Sequence, residues 1–218
     1  MSLFLGIDFG TTGVRSSIID KNKKELINFS VSIDSPISKG SLVYQNPSLW
    51  WSALIKNLTF LKTKIELNKI ERLSIDGTSG TVLITDHLGS PLDDALMYND
   101  ASAVKESKLV ESISDNHPIV STSTNALVRA LSLINKLKKE KYRILHQADW
   151  IACKLINDYT YSDENNALKL GYDCVERSWP KWFDQLPIEM SSLPNIKIPG
   201  QSIGCLLYTS PSPRDLYQ

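Results

Sequence analysis

Apolar and polar positions fall into two regimes along the chain. Up to about residue 99, short apolar or alternating runs are separated by Gly, Pro, Asn and Asp clusters, the pattern of strands joined in hairpins. Residues 3–7 read as a short buried strand. Gly10-Thr11-Thr12-Gly13 reads as a turn, and residues 14–19 as a second strand ended by Asp20-Lys21-Asn22-Lys23. A third strand is predicted from Lys24 to about Ile33, and residues 34–40 as a loop. A helix interrupts this series. Asn46 is its N-cap and Pro47 its first residue, and Leu49, Trp50, Ala53, Leu54, Leu58 and Leu61 recur at helical spacing. Residues 70–76 and 81–85 are strands around the loop Gly77-Thr78-Ser79-Gly80, and residues 87–91 form another turn. From Asp100 the pattern turns helical. Asp100 is expected to cap a helix to about Ser112, Asn125 one to about Lys139, and Asp149 lies near the start of a third ending about Asn157. Hairpin strands, a crossover helix, a strand and then helices predict an α/β fold with a mixed sheet.

Composition narrows the function. The 218 residues carry 24 Lys+Arg against 24 Asp+Glu, so the electrostatic footprint of a general nucleic-acid or anionic-membrane binder is missing. No stretch reaches the ~18 apolar residues of a membrane span. The start has no basic segment, and Asp8 interrupts its apolar run, unlike a secretory leader. Cys153, Cys174 and Cys205 include no CxxC pair, and His87, His117 and His146 lie far apart, which argues against a disulfide framework or a zinc site. A cytoplasmic location is expected. Lys136, Lys138, Lys139 and Lys141 read as a solvated helix face.

Candidate chemistry begins at Asp8-Phe9-Gly10-Thr11-Thr12-Gly13. A carboxylate at a strand end can hold a hydrated Mg²⁺. Adjacent glycines let backbone N–H groups approach phosphate oxygens, and threonine hydroxyls add donors. No lysine follows, as a P-loop requires, and the residues after Gly13 are strand-like, so this is not the helix-opening loop of a dinucleotide site. On spacing alone the segment also reads as a plain β-turn with a surface Asp.

Leu5-Gly6-Ile7-Asp8-Phe9-Gly10-Thr11-Thr12-Gly13-Val14-Arg15 closely resembles the first phosphate motif of the FGGY carbohydrate kinases, members of the actin–hexokinase superfamily. Ile75-Asp76-Gly77-Thr78-Ser79-Gly80-Thr81-Val82-Leu83 resembles the sugar-side loop of the D-ribulokinase branch, with xylulokinases as near relatives. Ala95-Leu96-Met97-Tyr98-Asn99-Asp100, Gln147-Ala148-Asp149-Trp150, Asn166-Ala167-Leu168-Lys169-Leu170-Gly171-Tyr172 and the Pro199-Gly200 to Ile203-Gly204 stretch resemble the same branch, in the same order. The resemblance implies an RNase-H-like α/β domain with a mixed β-sheet and flanking helices. It spans residues 1–204 as an N-terminal sugar-binding domain, incomplete at its C-terminal end.

The resemblance also implies roles. Asp8 faces the metal, the transferring phosphoryl group and the sugar. Thr11, Thr12 and Gly13 border the phosphates of ATP, and Arg15 either reaches the γ-phosphate or is an outward strand residue. Ser79, framed by Thr78 and Gly80, hydrogen-bonds the sugar, and Asn99 lines its pocket. Asp76 supports its loop, and Asp100 is read as a cap. Trp50, Trp51, Trp179 and Trp182 are read as core before sugar stacking. ATP and Mg²⁺ are the implied cofactors and a ketopentose, D-ribulose first, the implied substrate. Xylulose or another sugar or polyol is the alternative, as is a non-catalytic sugar-binding module. The family's general base, an Asp shortly after the Pro-Gly-x-x-Ile-Gly stretch, lies beyond the matching residues. Residues 205–218 are expected to be a non-native tail, because residues 205–215 resemble a translated sequencing-library adapter.

Overall fold

Strict alternation builds the first sheet. In β1 (Leu3–Phe9) the residues Leu3, Leu5, Ile7 and Phe9 are buried, whereas Gly6 and Asp8 are exposed. The computed structural model describes residues 2–114, 120, 122–137 and 141–206. In it β1 pairs antiparallel with β2 (Gly13–Asp20), β2 pairs antiparallel with β3 (Glu25–Ser32), and β6 (Ile70–Gly77) pairs parallel with β1. This four-stranded sheet is mixed, as expected, with the order β3-β2-β1-β6. The crossover from β3 to β6 passes through α1 (Pro47–Lys62). The Asn46 side chain accepts the Ser48 N–H at 2.8 Å and caps this helix, and Pro47 fills its first turn.

Residues 34–40 depart from the expected loop. They contain β4 (Ile37–Lys39), which forms a hairpin with β5 (Leu42–Gln45). β4 is exposed throughout, so no buried alternation announces it. With β7 (Val82–Thr85), β8 (Ala95–Leu96) and β9 (Arg143–His146) these strands form a second sheet, antiparallel, in the order β4-β5-β8-β7-β9. All four residues of β7 are buried. Leu83, with Ala95, Met97 and Leu145, joins the core that lies under the first sheet. Val82 and Ile84, with Leu96 and Ile144, face a second core. A strand covered on both faces reads as a continuous apolar run, as residues 82–84 do.

The first core is completed by α1 and α4 (Gln147–Ile156). Trp50 and Trp150 meet edge-on there, with ring centroids 6.1 Å apart. Burying side chains of this kind contributes about 1.5–3 kcal/mol each. The second core is formed by α2 (Val104–Ile113), α3 (Ala126–Ile134) and the segment carrying Phe183, Leu186 and Ile188. Trp179 and Trp182 pack against Phe183, in keeping with a core role. A short parallel pair, β10 (Tyr161–Asp163) with β11 (Asn195–Lys197), and α5 (Glu164–Ala167) finish the fold.

Two helix expectations need correction. Asp100 does not cap α2, which starts at Val104 with Ala103 as its cap residue. The Asp100 carboxylate is buried and accepts the Val43 N–H at 2.7 Å, together with the Ser102 hydroxyl. Helix α3 is capped by Asn125 as expected but ends at Ile134 instead of about Lys139. β9 is a four-residue strand, too short to stand out in the sequence. His117 and residues 207–218 lie outside the described residues.

The two cores are keyed together at the β7–β8 turn. Gly89, in the left-handed region at φ +81°, sits against the Tyr159 ring so closely that a Cβ there would fall 2.0 Å from it. Its carbonyl accepts the Trp150 indole N–H at 2.9 Å. Tyr159 and Trp150 belong to the first core, whereas the turn belongs to the second sheet.

Candidate functional site

The β1–β2 connection turns sharply because the Gly10 N–H donates to the Gly13 carbonyl at 2.9 Å. Gly13 lies close under β3, where a Cβ would come within 3.2 Å of the Val31 carbonyl. The turn is tied to the rest of the domain by Gln45 of β5. Its amide donates to the Thr11 carbonyl at 3.2 Å and to the Asp34 carbonyl at 2.7 Å. Its Oε1 accepts the buried Trp50 indole N–H at 2.7 Å. The Ile33 N–H donates to the Thr12 carbonyl at 2.8 Å. Five expected residues, Asp8, Thr11, Thr12, Gly13 and Arg15, line one cavity of about 180 Å³ at this turn.

Pairing register places three charged residues across neighbouring strands. Asp8 is opposite Arg15 of β2 on one side and Asp76 of β6 on the other. All three are exposed. Together with Gly6, Ser17 and Ser74 they line a second depression of about 270 Å³ on the outer face of the first sheet. Gly6 opens this surface, since nothing lies within 4 Å of where its Cβ would be. The Asp76 carboxylate accepts the Gly77 N–H at 2.8 Å, a loop-supporting contact. Among the described residues no group of three His, Cys, Asp or Glu side chains gathers as a metal cage.

The remaining expected residues, Thr78, Ser79, Gly80 and Asn99, line neither cavity. They lie where β6 ends and where the chain leaves β8. Thr78 is committed internally: its N–H and hydroxyl both meet Gln147 Oε1 at 2.8 Å, and its hydroxyl lies 2.7 Å from that of Thr81. Gly80, at φ +82°, is buried. Its carbonyl accepts a 2.6 Å hydrogen bond from Arg129 Nη2. Ser79 and Asn99 are exposed. The structure therefore separates the four into two that build the loop, Thr78 and Gly80, and two that present their side chains, Ser79 and Asn99.

Three supporting residues were not foreseen as such. Gln45, Gln147 and Arg129 are polar, almost fully buried and distant in sequence from the loops they hold. Burial of a polar side chain is the signal that finds them, and burial is not visible at those positions in the sequence. Arg129 is so enclosed that desolvation pulls its guanidinium down to about 10, against the opposing pull of Asp100, and it remains a cation at neutral pH.

The chain matches the N-terminal domain of the FGGY family of carbohydrate kinases over residues 3–210. It belongs to that family. Among FGGY relatives, a xylulose kinase of Staphylococcus xylosus is 22% identical over 219 residues, covering 94% of this chain and 45% of the relative. A gluconate kinase structure from Lactobacillus acidophilus superposes with a TM-score of 0.83 at 19% identity, covering 95% of this chain and 44% of the other. A Plasmodium falciparum glycerol kinase solved with ADP superposes with a TM-score of 0.81 at 20% identity, over 95% and 45%. These likenesses establish the actin/hexokinase-type fold. The chain spans a little under half the length of these FGGY proteins.

Proposed function

We propose that this chain is the sugar-binding half of an ATP-dependent sugar kinase whose full-length form phosphorylates a ketopentose, D-ribulose in the first instance. The observation that carries the reading is the meeting of Asp8, Thr11, Thr12, Gly13 and Arg15 around one cavity. The adjacent parallel strand β6 leads directly into the loop that presents Ser79. Phosphoryl transfer needs positioning and neutralisation of charge more than covalent help from the protein, and this turn offers both.

Asp8 orients the reacting groups from a strand that packing and two neighbouring strands hold in place. Arg15, across the β1–β2 pair, brings positive charge to the phosphate side. The Asp8 carboxylate beside the Thr11 and Thr12 hydroxyls is a set of hard oxygen donors that suits Mg²⁺ bound through one carboxylate with waters and phosphate oxygens. When bound, that ion would neutralise phosphate charge. Ser79 and Asn99 supply short donors and acceptors for a polyol. By the same reading, the Asp that deprotonates the attacking hydroxyl and most of the adenosine site belong to the second half of the protein. The 218-residue chain alone is then expected to release no ADP in response to sugar.

The test is the full-length parent and its Asp8→Asn variant, assayed for sugar-dependent ADP release over a panel of pentuloses and pentitols. The expected outcome is turnover with a pentulose and a loss of at least ~10²-fold in the variant, with sugar binding retained. Parent-like turnover by Asp8→Asn overturns the role of Asp8. Sugar binding with no ADP release by the parent favours a non-catalytic binding module. A xylulose kinase is the second reading, favoured by the Staphylococcus xylosus relative, and the same panel decides between the two pentuloses.

A further inference from the structure

Arg129 lies on α3, 1% exposed, with none of its length at a surface that a ligand would touch. Its guanidinium reaches three separate segments. Nη2 donates to the Gly80 carbonyl at 2.6 Å. Nη1 donates to the Tyr98 carbonyl at 2.9 Å, to the Asp100 carbonyl at 3.3 Å and to the Thr124 carbonyl. These acceptors are not scattered. Gly80 directly follows Ser79, and Tyr98 and Asp100 bracket Asn99. One side chain thus holds the backbone beside both residues that face outward from the sugar-side loops.

Other contacts close the same unit. The Thr81 hydroxyl lies 2.7 Å from that of Thr78 and accepts the Tyr98 N–H at 3.2 Å. The Asp100 carboxylate fastens the second segment to Val43 of β5. Thr78 is held by Gln147. Arg129 differs from these in contacting both segments from outside them, as a planar fork whose donors fix angle as well as distance.

We infer that Arg129 is a positioning residue for the sugar: its guanidinium sets the spacing between Ser79 and Asn99 and thereby the discrimination between sugars of different hydroxyl stereochemistry. This inference rests on the sugar-kinase reading above. A displacement of about 1 Å in a positioning group can cost ~10²-fold in rate. Lysine at this position keeps the charge but offers one ammonium where the fork reaches three segments.

The experiment compares the full-length parent with Arg129→Lys and Gly80→Ala. The second variant places a Cβ 3.2 Å from Arg129 Nη2 at a backbone φ of +82°, disturbing the clamp from its other side. Thermal unfolding establishes that each is folded. Steady-state kinetics then give kcat and KM for sugar and for ATP, and the ratio of kcat/KM between the preferred pentulose and its epimer. The expected result for a folded variant is a rise in sugar KM of ~10-fold or more and an epimer ratio reduced by a similar factor, with ATP KM within about twofold. Folded variants with sugar KM and epimer ratio within about twofold of the parent overturn the inference. Equal loss toward sugar and ATP, or failure of both variants to fold, assigns Arg129 to stability alone and also overturns it. A parent that turns over no sugar fails the underlying reading instead, and is recognised before any variant is made.

Discussion

The two candidate loops differ in how far away their main supports lie. The turn between β1 and β2 closes on itself through a hydrogen bond between residues three apart, Gly10 and Gly13. The loop after β6 is held by side chains far away in the sequence, Gln147 at a separation of 69 residues and Arg129 at 49. Each also has some of the other's support: Gln45 ties the first turn at Thr11, and the Thr81 N–H closes the second on the Thr78 carbonyl at 3.2 Å. The difference is one of degree: the Gly10–Gly13 turn rests mainly on its own hairpin, with Gln45 as a support 34 residues away, whereas the Thr78–Gly80 loop rests mainly on side chains 49 and 69 residues away.

The strongest way to break this comparison is Gln147→Leu, which keeps the bulk but removes the acceptor for the N–H and hydroxyl of Thr78. In the full-length parent the sugar KM is expected to rise by ~10-fold or more with ATP KM little changed. A matched rise in both would show that the two loops share their support. Next in size is Gln45→Leu. It strips the fully buried Trp50 indole of its acceptor and frees the Thr11 carbonyl. Leaving a buried donor unpaired costs about 1–3 kcal/mol, read as a fall in Tm of roughly 2–4 °C per kcal/mol for a protein of this size. Any kinetic effect is expected on ATP KM, not on sugar KM. The smallest contrast is between glycines. An alanine Cβ at Gly77 would meet Gln147 Oε1 at 2.9 Å and the Ala148 N at 3.3 Å, whereas at Gly10 its nearest neighbour is the Gly13 carbonyl at 3.4 Å. Gly77→Ala is therefore expected to lower Tm more than Gly10→Ala. The reverse order would contradict the remote-support account.

The same distinction explains what the sequence made legible. The alternation of β1 and β2, the Asn46-Pro47 helix start and the Gly10-to-Gly13 turn are short-range patterns, and each appears in the structure as read. The second sheet was largely hidden. β4 is wholly exposed, β8 has two residues, and β9 follows a helix that ends earlier than its apolar spacing predicts. Asp100 shows how a local rule is overridden. An Asp ahead of a helical run is a good cap on propensity, but this one is buried, and the unpaired N–H of Val43 claims it. For the site, Asp8, Thr11, Thr12, Gly13 and Arg15, near one another in sequence, line one cavity, whereas Thr78, Ser79, Gly80 and Asn99 lie outside it. Gln45, Gln147 and Arg129 were invisible as supports because nothing local marks a polar side chain that will be enclosed by elements from elsewhere.

Gly89 carries a mechanical consequence. With the Tyr159 ring seated where a side chain would be, and its carbonyl latched by Trp150, the β7–β8 turn acts as a tenon set into the first core. Sliding or hinging of one block on the other would have to break that hydrogen bond and unseat the ring. The Asp8 turn on the first sheet and the Ser79 loop, which runs from the first sheet to the second, are then expected to move together as one unit.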